Sequence, residues 1–589
     1  MQQKKKPDIL QHPIRIARFG LFRFRDDLFL KLPIKWRMIV TACIIGLLTG
    51  LSAVVFYKAL HGLTDFLFSL PGYWAFILPA TGAFLSGVVV YKLAPEAEGH
   101  GIDAVAKSFH QQGGKVPLRV SAVKAVASIL TMGSGGSGGV EGPIAQIGSG
   151  IGSTIARTLG FRTSHLRSLM LAGCAGGIGA LFKAPLGGAF AAIEIIYKED
   201  FESRALVPSV VSSVTSYFVF MQFVPGRNVL ALPSSLFSSY KELPAYAILA
   251  LAAVLAGFIF VKSFFSVNQF FRKLNVSKYL KPALGGLAVG VIGYFFPRAM
   301  GADLQPLIEL CNSGFSLSFI AALLMCKIAA TSFTVGSGGS GGVFGPSLFI
   351  GGMTGALVHK LLALGGYPLP LPSETAFVLV GMAAFFSGVA KAPIGALIMA
   401  CEMTGSFTLL IPTLVVNTSA VFLSHSFGIY KNQVQDRFHS PTYLRGMSEF
   451  ILKKIPIRDF LTTADTLNSI DESTTALEAH ASLDIRRMTF PLPVTNRNCE
   501  LVGLITSNAF INWTKRNDSS RVAEIMEMPA YCYADQTMYD ALIRFRSSNF
   551  EYLPVLDRST GEILGTIRYQ DFLEAYHNVP VENFSEVEV

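Results

Sequence analysis

Eleven residues occur twice in this chain, and few folds can use them. Gly133–Pro143 reads GSGGSGGVEGP and Gly336–Pro346 reads GSGGSGGVFGP. Ten of the eleven positions are identical, and the exception sets Glu141 against Phe344. A match this close, offset by 203 positions, indicates internal duplication with one copy specialised. A second pair lies further along each half. Ala172–Pro185 (AGCAGGIGALFKAP) aligns with Val380–Pro393 (VGMAAFFSGVAKAP), offset by 208, and nine residues past each proline stands a carboxylate, Glu194 and Glu402. Each half thus carries a glycine loop, a short helix, a KAP break and another helix.

The loops lie in an oily setting. Hydrophobic residues make up 51% of the 589 and charged residues 15%, with a mean hydropathy of +0.47. The apolar character fills residues 38 to 428 and then stops, which implies a membrane domain followed by a soluble tail. Apolar spans are expected at Met38–Leu60, Trp74–Leu93, Leu169–Tyr197, Leu206–Phe223, Ala245–Phe264, Leu280–Phe296, Phe315–Ala330, Ser347–Leu364, Ala376–Cys401 and Leu409–Phe427. Several are short or broken by Gly and Pro. Broken helices at membrane depth are tolerated where they line a cavity or are buried in protein, and their pairing across a repeat points to a transport site at the repeat interface.

The net charge is +10, and much of it precedes the first span: Lys4, Lys5, Lys6, Arg15, Arg18, Arg23, Arg25, Lys31, Lys35 and Arg37. A nucleic-acid-binding arm has this composition too. Its place directly before an apolar run fits the positive-inside rule better, so both termini are expected in the cytoplasm and no nucleic-acid partner is expected. The seven cysteines form no CxxC pair, so neither a metal site nor a disulfide framework is expected.

Gly133–Gly138 is a GxGxxG string, but no strand–loop–helix unit surrounds it and it recurs in the other half, so a dinucleotide fingerprint is excluded. Close helix packing is one use of such glycines. The residues after each loop suggest another. Pro143 and Pro346 stand where a helix begins, and free N–H groups at a helix start favour an anion. Two such termini would hold an anion without a lysine or arginine, which would bind too tightly for passage. Glu141 is then a tethered anion: charged, it occupies the place of the transported ion, and protonated, it swings away. The plainer alternative is a structural helix-terminus carboxylate.

These residues resemble the CLC family of chloride channels and proton-coupled chloride exchangers. Gly139–Pro143 is similar to its gating-glutamate motif, Gly341–Pro346 to its GGxFxP motif and Glu402–Met403–Thr404 to its E-M-T. Tyr430 falls where the family has an anion-contacting tyrosine. The resemblance implies a homodimer in a lipid bilayer, each subunit with its own pore for chloride or another small anion, built from antiparallel repeats. It implies that N–H groups near Val343 and Phe344 and the Tyr430 hydroxyl contact a central ion, and that Glu141 with the N–H groups of Val140 and Gly142 forms an outer site. Two departures stand out. The family's G-S-G-I-P motif is Gly99–His100–Gly101–Ile102–Asp103 here, so an imidazole replaces the serine hydroxyl beside Gly101 and Ile102, and the alternative is a solvent-facing loop histidine. The inner acid that proton-coupled members often carry is Ile195, which cannot relay a proton.

From about Lys453 the pattern turns α/β. Ala464–Trp513 and Ala530–Tyr576 resemble a tandem CBS pair, with helices at Thr475–Leu483 and Met538–Ser548 and strand pairs Phe490–Val494 with Leu501–Thr506 and Tyr552–Val555 with Ile563–Ile567. The nucleotide pattern of such domains pairs Ser/Thr with an Asp three residues on. Here Thr506 faces Ala509, and Asp571 faces Arg568, which leaves a composite Thr506/Asp571 site as the arrangement for an adenine nucleotide. The alternative is a dimerisation module that binds nothing. No other cofactor is expected.

The expected architecture is an all-α, multi-span membrane domain of two inverted repeats with broken and tilted helices, followed by a cytoplasmic α/β tandem CBS domain. Its expected parts are 1–37 (basic N-terminus), 38–440 (halves about 38–225 and 244–440), 441–455 (linker), 456–516 and 517–580 (CBS-like repeats) and 581–589 (acidic tail). The expected function is anion transport gated by Glu141, channel-like or weakly proton-coupled. The alternatives are a stoichiometric chloride/proton antiporter and a membrane-anchored nucleotide sensor. No triad or metal cluster suggests an enzyme.

Overall fold

The computed structural model describes residues 31–70, 74, 76–226, 239–443, 452–463, 469–482, 491–498, 500–516, 518–548, 550 and 552–571. The basic residues up to Arg25, the acidic tail 581–589, and Leu483, Phe490 and Tyr576 of the expected tail elements lie outside them. The chain forms two compact units, Met1–Thr442 and Tyr443–Val589.

The first unit is helical. Its first half holds α1 (Ile34–Phe68), α2 (Leu78–Leu93), α3 (Ile102–Gln111), α4 (Leu118–Gly133), α5 (Glu141–Thr158), α6 (Thr163–Leu181), α7 (Pro185–Glu194) and α8 (Leu206–Phe223). Its second half holds α9 (Leu243–Lys273), α10 (Leu280–Phe295), α11 (Gln305–Ser313), α12 (Leu317–Gly336), α13 (Phe344–Leu364), α14 (Glu374–Ala390), α15 (Pro393–Thr404) and α16 (Leu410–Leu423). The halves correspond helix for helix, α1 with α9 through α8 with α16. Among the described residues five helices are long and apolar enough to cross a membrane, and shorter apolar helices, α2, α10, α14, α15 and α16 among them, accompany them. The 35 residues of α1 span about 52 Å, more than the ~30 Å hydrocarbon core, so this helix must tilt or project beyond it.

The KAP breaks explain two helix pairs. Lys183 and Lys391 adopt left-handed backbone conformations (φ 53° and 60°), which stop α6 and α14. The proline two residues on then occupies the first turn of α7 and α15, where its missing N–H costs nothing. The left-handed turn costs a side-chain-bearing residue about 1–2 kcal/mol. Lys391 offsets this by donating to Ser424 O and Oγ at 2.5 and 2.6 Å, and Lys183 by donating to Gly226 O at 2.9 Å. Helix crossings use the glycines. A Cβ on Gly148 would strike the Gly173 carbonyl, and one on Gly351 would strike that of Gly381, so α5 crosses α6 as α13 crosses α14, backbone against backbone.

Element boundaries differ from the sequence expectations in instructive places. Leu169–Tyr197 and Ala376–Cys401 are each two helices, divided at the left-handed lysine. The first span extends well past Met38–Leu60, and α9 runs on through Val267–Asn268–Gln269, because polar residues at membrane edges do not end a helix. Helix α11 was not expected. At nine residues with Gln305, Glu309 and Asn312 among them, it carries no span-like signal.

In the second unit, β1 (Thr462–Thr463), β2 (Ile470–Asp471), α17 (Ala476–Ser482), β3 (Leu492–Thr495), β4 (Leu501–Ile505), α18 (Ser507–Thr514), β5 (Cys532–Tyr533), α19 (Met538–Ser547), β6 (Tyr552–Leu556) and β7 (Ile563–Arg568) form two sheets, of orders β2-β3-β4 and β1-β7-β6-β5. In each, a short strand lies parallel to the first member of an antiparallel pair. Both pairs slip register at the same place, Val494/Thr495 and Val555/Leu556. This shared irregularity marks the two as copies of one unit. Each packs its own core, one around Trp513, Phe510 and Val494, the other around Phe545, Leu553 and Ile567.

Candidate functional site

The two glycine loops meet. Gly139 and Gly342 pair antiparallel, each N–H donating to the other's carbonyl at 2.7 and 2.6 Å. Hydroxyls from the preceding helices brace the pair crosswise. Ser128 and Ser340 share a hydrogen bond of 2.8 Å, and Ser137 and Thr331 one of 3.0 Å. Ser137 N–H donates to Thr334 Oγ1 at 2.9 Å, and Ser340 N–H to Thr131 Oγ1 at 3.3 Å. Each bond has its counterpart in the other half under the same offset of 203. The N-termini of α5 and α13 are thereby fixed beside one another, with their leading N–H groups outside the helical ladder.

A third terminus joins them. Gly101, at φ 86°, turns the chain into α3, and no Cβ fits there because it would strike the Gly142 carbonyl. A Cβ on Gly142 would in turn strike the His100 carbonyl and stand 2.9 Å from Gly342 Cα. His100, Gly101 and Ile102 therefore abut the start of α5, which itself abuts the start of α13.

Glu141 is 1% exposed, and its carboxylate Oε1 accepts the N–H of Gly345, on the opposite half's helix. The N–H groups of Phe344 and of Glu141 itself also turn towards the carboxylate. The expected outer site joins Glu141 with the N–H groups of Val140 and Gly142, whereas the carboxylate itself lies on the second half's helix. The first half's side chain caps the second half's helix, while its Oε2 is buried without a hydrogen-bond partner. Val343 and Phe344 are buried, and the Phe344 ring packs between Phe182 (4.9 Å between centroids) and Phe386 (4.0 Å). On one side of Glu141 and Val140 opens a cavity of about 470 Å³ whose lining includes Tyr57, His61, Asp65, Lys183 and Asp303.

His100 and Tyr430 lie together on the other approach. Their rings are 5.3 Å apart and tilted by 45°. Tyr430 is 2% exposed, and neither its hydroxyl nor His100 Nδ1 has a hydrogen-bond partner. Asp103 accepts from Asn432 N–H at 2.7 Å and from its side-chain amide at 2.5 Å, tying α3 to the Tyr430 segment. Ile195 is buried in the core, and Gln433 donates to its carbonyl at 2.7 Å and to that of Ala390 at 2.8 Å.

Two further symmetric features escaped the sequence reading. Lys124 and Lys327 are buried, and each reaches two carbonyls of the loop before the neighbouring short helix: Lys124 those of Ala97 (3.1 Å) and Gly99, Lys327 those of Ala299 and Gly301 (both 3.1 Å). Glu194 caps the N-terminus of α15 through Ile394 and Gly395 (3.2 and 2.8 Å), and Glu402 caps α7 through Leu186 and Gly187 (3.1 and 2.8 Å). The repeat had shown that these carboxylates correspond, but not that each serves the other's helix. In the tail, Thr506 Oγ1 caps α18 by accepting from Ala509 N–H at 3.4 Å, and Asp571 is 2% exposed and bonded to Arg568 by N–H, Nε and Nη2 at 2.7, 2.9 and 2.8 Å. The acid of the expected composite nucleotide site is therefore already engaged.

Comparison with known proteins bears on this arrangement. The family model described as voltage gated chloride channel matches residues 82–425. The chain belongs to the CLC, or voltage gated chloride channel, family. It is an integral membrane protein of CLC-type anion transport and not an enzyme. A CBS domain model matches residues 522–578. An uncharacterized protein of Methanocaldococcus jannaschii is 30% identical over 376 residues, covering 63% of this CLC chain and 89% of that one. The H(+)/Cl(−) exchange transporter ClcA of Vibrio cholerae is 27% identical over 401 residues, covering 65% and 86%. The structure of a slow cyanobacterial Cl−/H+ antiporter superposes with a TM-score of 0.60 at 22% identity, over 67% of this chain and 95% of that one, which shows a shared CLC fold.

Proposed function

We propose that the membrane unit carries chloride or a similar small anion along a path gated by Glu141, in a channel-like or weakly proton-coupled manner. The observation that carries this reading is the Glu141 carboxylate on the Gly345 N–H. A carboxylate, an anion when ionised, rests on a donor that would otherwise face a passing anion. For conduction to occur it must leave, and protonation removes the charge that holds it there. Tyr430, Val343, Phe344, Gly101 and Ile102 are the remaining contacts in this reading, with His100 at the inner end.

Weak coupling is favoured by Ile195. A buried aliphatic side chain offers no inner proton acceptor, and Gln433 on its carbonyl cannot ionise. Stoichiometric exchange is the second reading, prompted by the antiporters among the similar proteins. Both termini are read as cytoplasmic, and Lys35 and Arg37 at the start of α1 support this for the N-terminal one. The functional unit is a homodimer, with the exposed apolar side chains of α7, α8, α15 and α16 (Leu186, Val207, Ile394, Ile411) available to a second copy. The tail acts without nucleotide, since Asp571 is taken by Arg568.

Reconstituted vesicles with an imposed chloride gradient test the reading. Chloride efflux with little accompanying lumenal pH change is expected. Uphill proton movement in fixed ratio to chloride would establish the exchange reading, and absence of chloride flux would overturn both.

A further inference from the structure

We propose that His100 makes the inner end of the anion path a proton-linked site: an anion bound between Tyr430 and the imidazole brings a proton onto the ring. The proposal rests on the anion-transport reading and deepens it. Its basis is a pair of polar side-chain atoms with nothing to bind. Tyr430 Oη and His100 Nδ1 are both shielded from water and unpartnered, although their rings are only 5.3 Å apart. Buried polar atoms of this kind ordinarily have a partner, and two orphaned ones on neighbouring rings mark a site for a polar occupant. The start of α3 opens beside them at Gly101, so an occupant there also meets a helix N-terminus.

With no anion bound, burial favours the neutral imidazole, the Lys124 ammonium adds to this and the Asp103 carboxylate opposes it. The acid nearest in sequence, Asp103, spends both carboxylate oxygens on Asn432. Lys124 spends its ammonium on the carbonyls of Ala97 and Gly99. Phe264 of α9, 6.1 Å from the imidazole, brings no charge. Across Tyr430 the other ionisable groups are Glu141 of α5 and Cys174 of α6. A histidine without a fixing partner takes whichever form its neighbour demands. A bare ring nitrogen repels an anion, an N–H donates to it, and an imidazolium pairs with it. An imidazolium pairs with the anion more strongly than either neutral tautomer does, so the occupant draws a proton onto the ring, and by linkage acid on the inner side tightens the anion. The balance is simple: one proton from the inner solution adds to the free ring nitrogen as the anion arrives and returns when it leaves. No bond to the anion forms or breaks.

The test uses the full-length protein in detergent with Glu141→Gln, which removes the other titrating competitor. Chloride binding is measured calorimetrically from pH 5.5 to 8.5 in two buffers of different ionisation heat. The expected result is affinity that rises as pH falls, approaching about tenfold per pH unit on the alkaline side, with a buffer-dependent heat reporting up to one proton taken up per chloride. In Glu141→Gln/His100→Ser, affinity should lose its pH dependence and the buffer dependence should vanish. In Glu141→Gln/His100→Gln, a neutral donor should restore affinity without proton uptake. Chloride binding that is independent of pH in Glu141→Gln, or equally dependent after His100→Ser, would overturn the proposal and leave anion binding intact. Absence of chloride binding in Glu141→Gln would overturn the anion reading as well.

Discussion

Replacing Glu141 by glutamine should open the path by an amount that the geometry sets. In the native protein Gly345 N–H donates to the carboxylate and Phe344 N–H faces it. A hydrogen bond from a backbone donor to a charged group contributes about 1.5–3 kcal/mol, and one to a neutral group about 0.5–1.5 kcal/mol. Glutamine keeps an acceptor oxygen of nearly the same reach but loses the charge, so the Gly345 bond weakens by about 1–1.5 kcal/mol. That one bond gives ~1–1.5 kcal/mol, and at ~1.4 kcal/mol per tenfold the seated state falls by a factor of about five to ten relative to the displaced one. Chloride flux should rise until another step limits it. Protonation does to the native residue what glutamine does permanently, so native flux should climb with acidity while Glu141→Gln flux stays level.

The assay is chloride efflux from vesicles, followed with a chloride electrode between pH 4.5 and 8. Glu141→Asp supplies the internal control: one methylene shorter, it keeps the charge but loses reach to Gly345, so it should be more open than native at neutral pH while retaining a pH response. If Glu141→Gln matches native flux at neutral pH and keeps its pH dependence, the carboxylate is a structural cap and the gating argument fails.

Three further outcomes rest on the same geometry. Gly142→Ala should cut flux at least tenfold and lower the melting temperature, since overpacking here costs about 1–3 kcal/mol with the His100 carbonyl and Gly342 Cα in the way; native flux would show that the three termini tolerate separation. Ser128→Ala and Thr331→Ala should destabilise alike, each by about 1–3 kcal/mol, because each leaves a buried hydroxyl (Ser340 or Ser137) unpaired, and thermal melts in detergent would expose any inequality between the halves. Arg437→Ala should remove up to about 1 kcal/mol at neutral pH, the modest worth of a partly exposed pair. The Arg437 guanidinium holds the Asp200 carboxyl below its usual value of 3.8, so this contribution is present above that value and lost as pH falls through the lower folded one; the native and variant melting curves should converge as the pH falls through that lower value.

The sequence made the duplication and the place of both glycine loops plain, because glycine, proline and one misplaced glutamate are strong local signals. It did not show what the halves do to each other. Glu194 and Glu402 were visible as equivalents, yet nothing in a linear string says that each caps the other's helix. Lys124 and Lys327 shared the offset of the loops, and so did Thr131 and Thr334, but a single lysine in an apolar stretch reads as a helix edge until its two carbonyl partners are seen. The second KAP break had its mark in the sequence: Lys391 precedes Ala392–Pro393 as Lys183 precedes Ala184–Pro185. Reading Ala376–Cys401 as one span gave hydropathy more weight than a left-handed residue followed by proline. The tail hid a local contact. A hydroxyl in one repeat and an acid in the other suggested a shared site, whereas Asp571 had its own partner three residues away in Arg568.

The symmetry itself explains why only one half carries the carboxylate. Gly139 pairs with Gly342, and under the repeat the Gly345 N–H that holds Glu141 corresponds to the Gly142 N–H. A glutamate in place of Phe344 would reach back towards Gly142 from the opposite side. Two carboxylates would then share one buried space a few ångströms across, with no lysine or arginine among the groups that hold Glu141 to balance them. Like charges so placed cannot both ionise, and one would stay protonated. A gate of that kind would never seat fully on both helices. The second copy instead places an aromatic ring there, packed at an angle between Phe182 and Phe386, which closes the far wall with apolar surface and leaves the Gly345 and Phe344 N–H groups to a single negative charge at a time. In the proposed gate, that charge is either the tethered one or the passing one. The swap of one glutamate for one phenylalanine in an otherwise duplicated loop is what makes that choice exclusive.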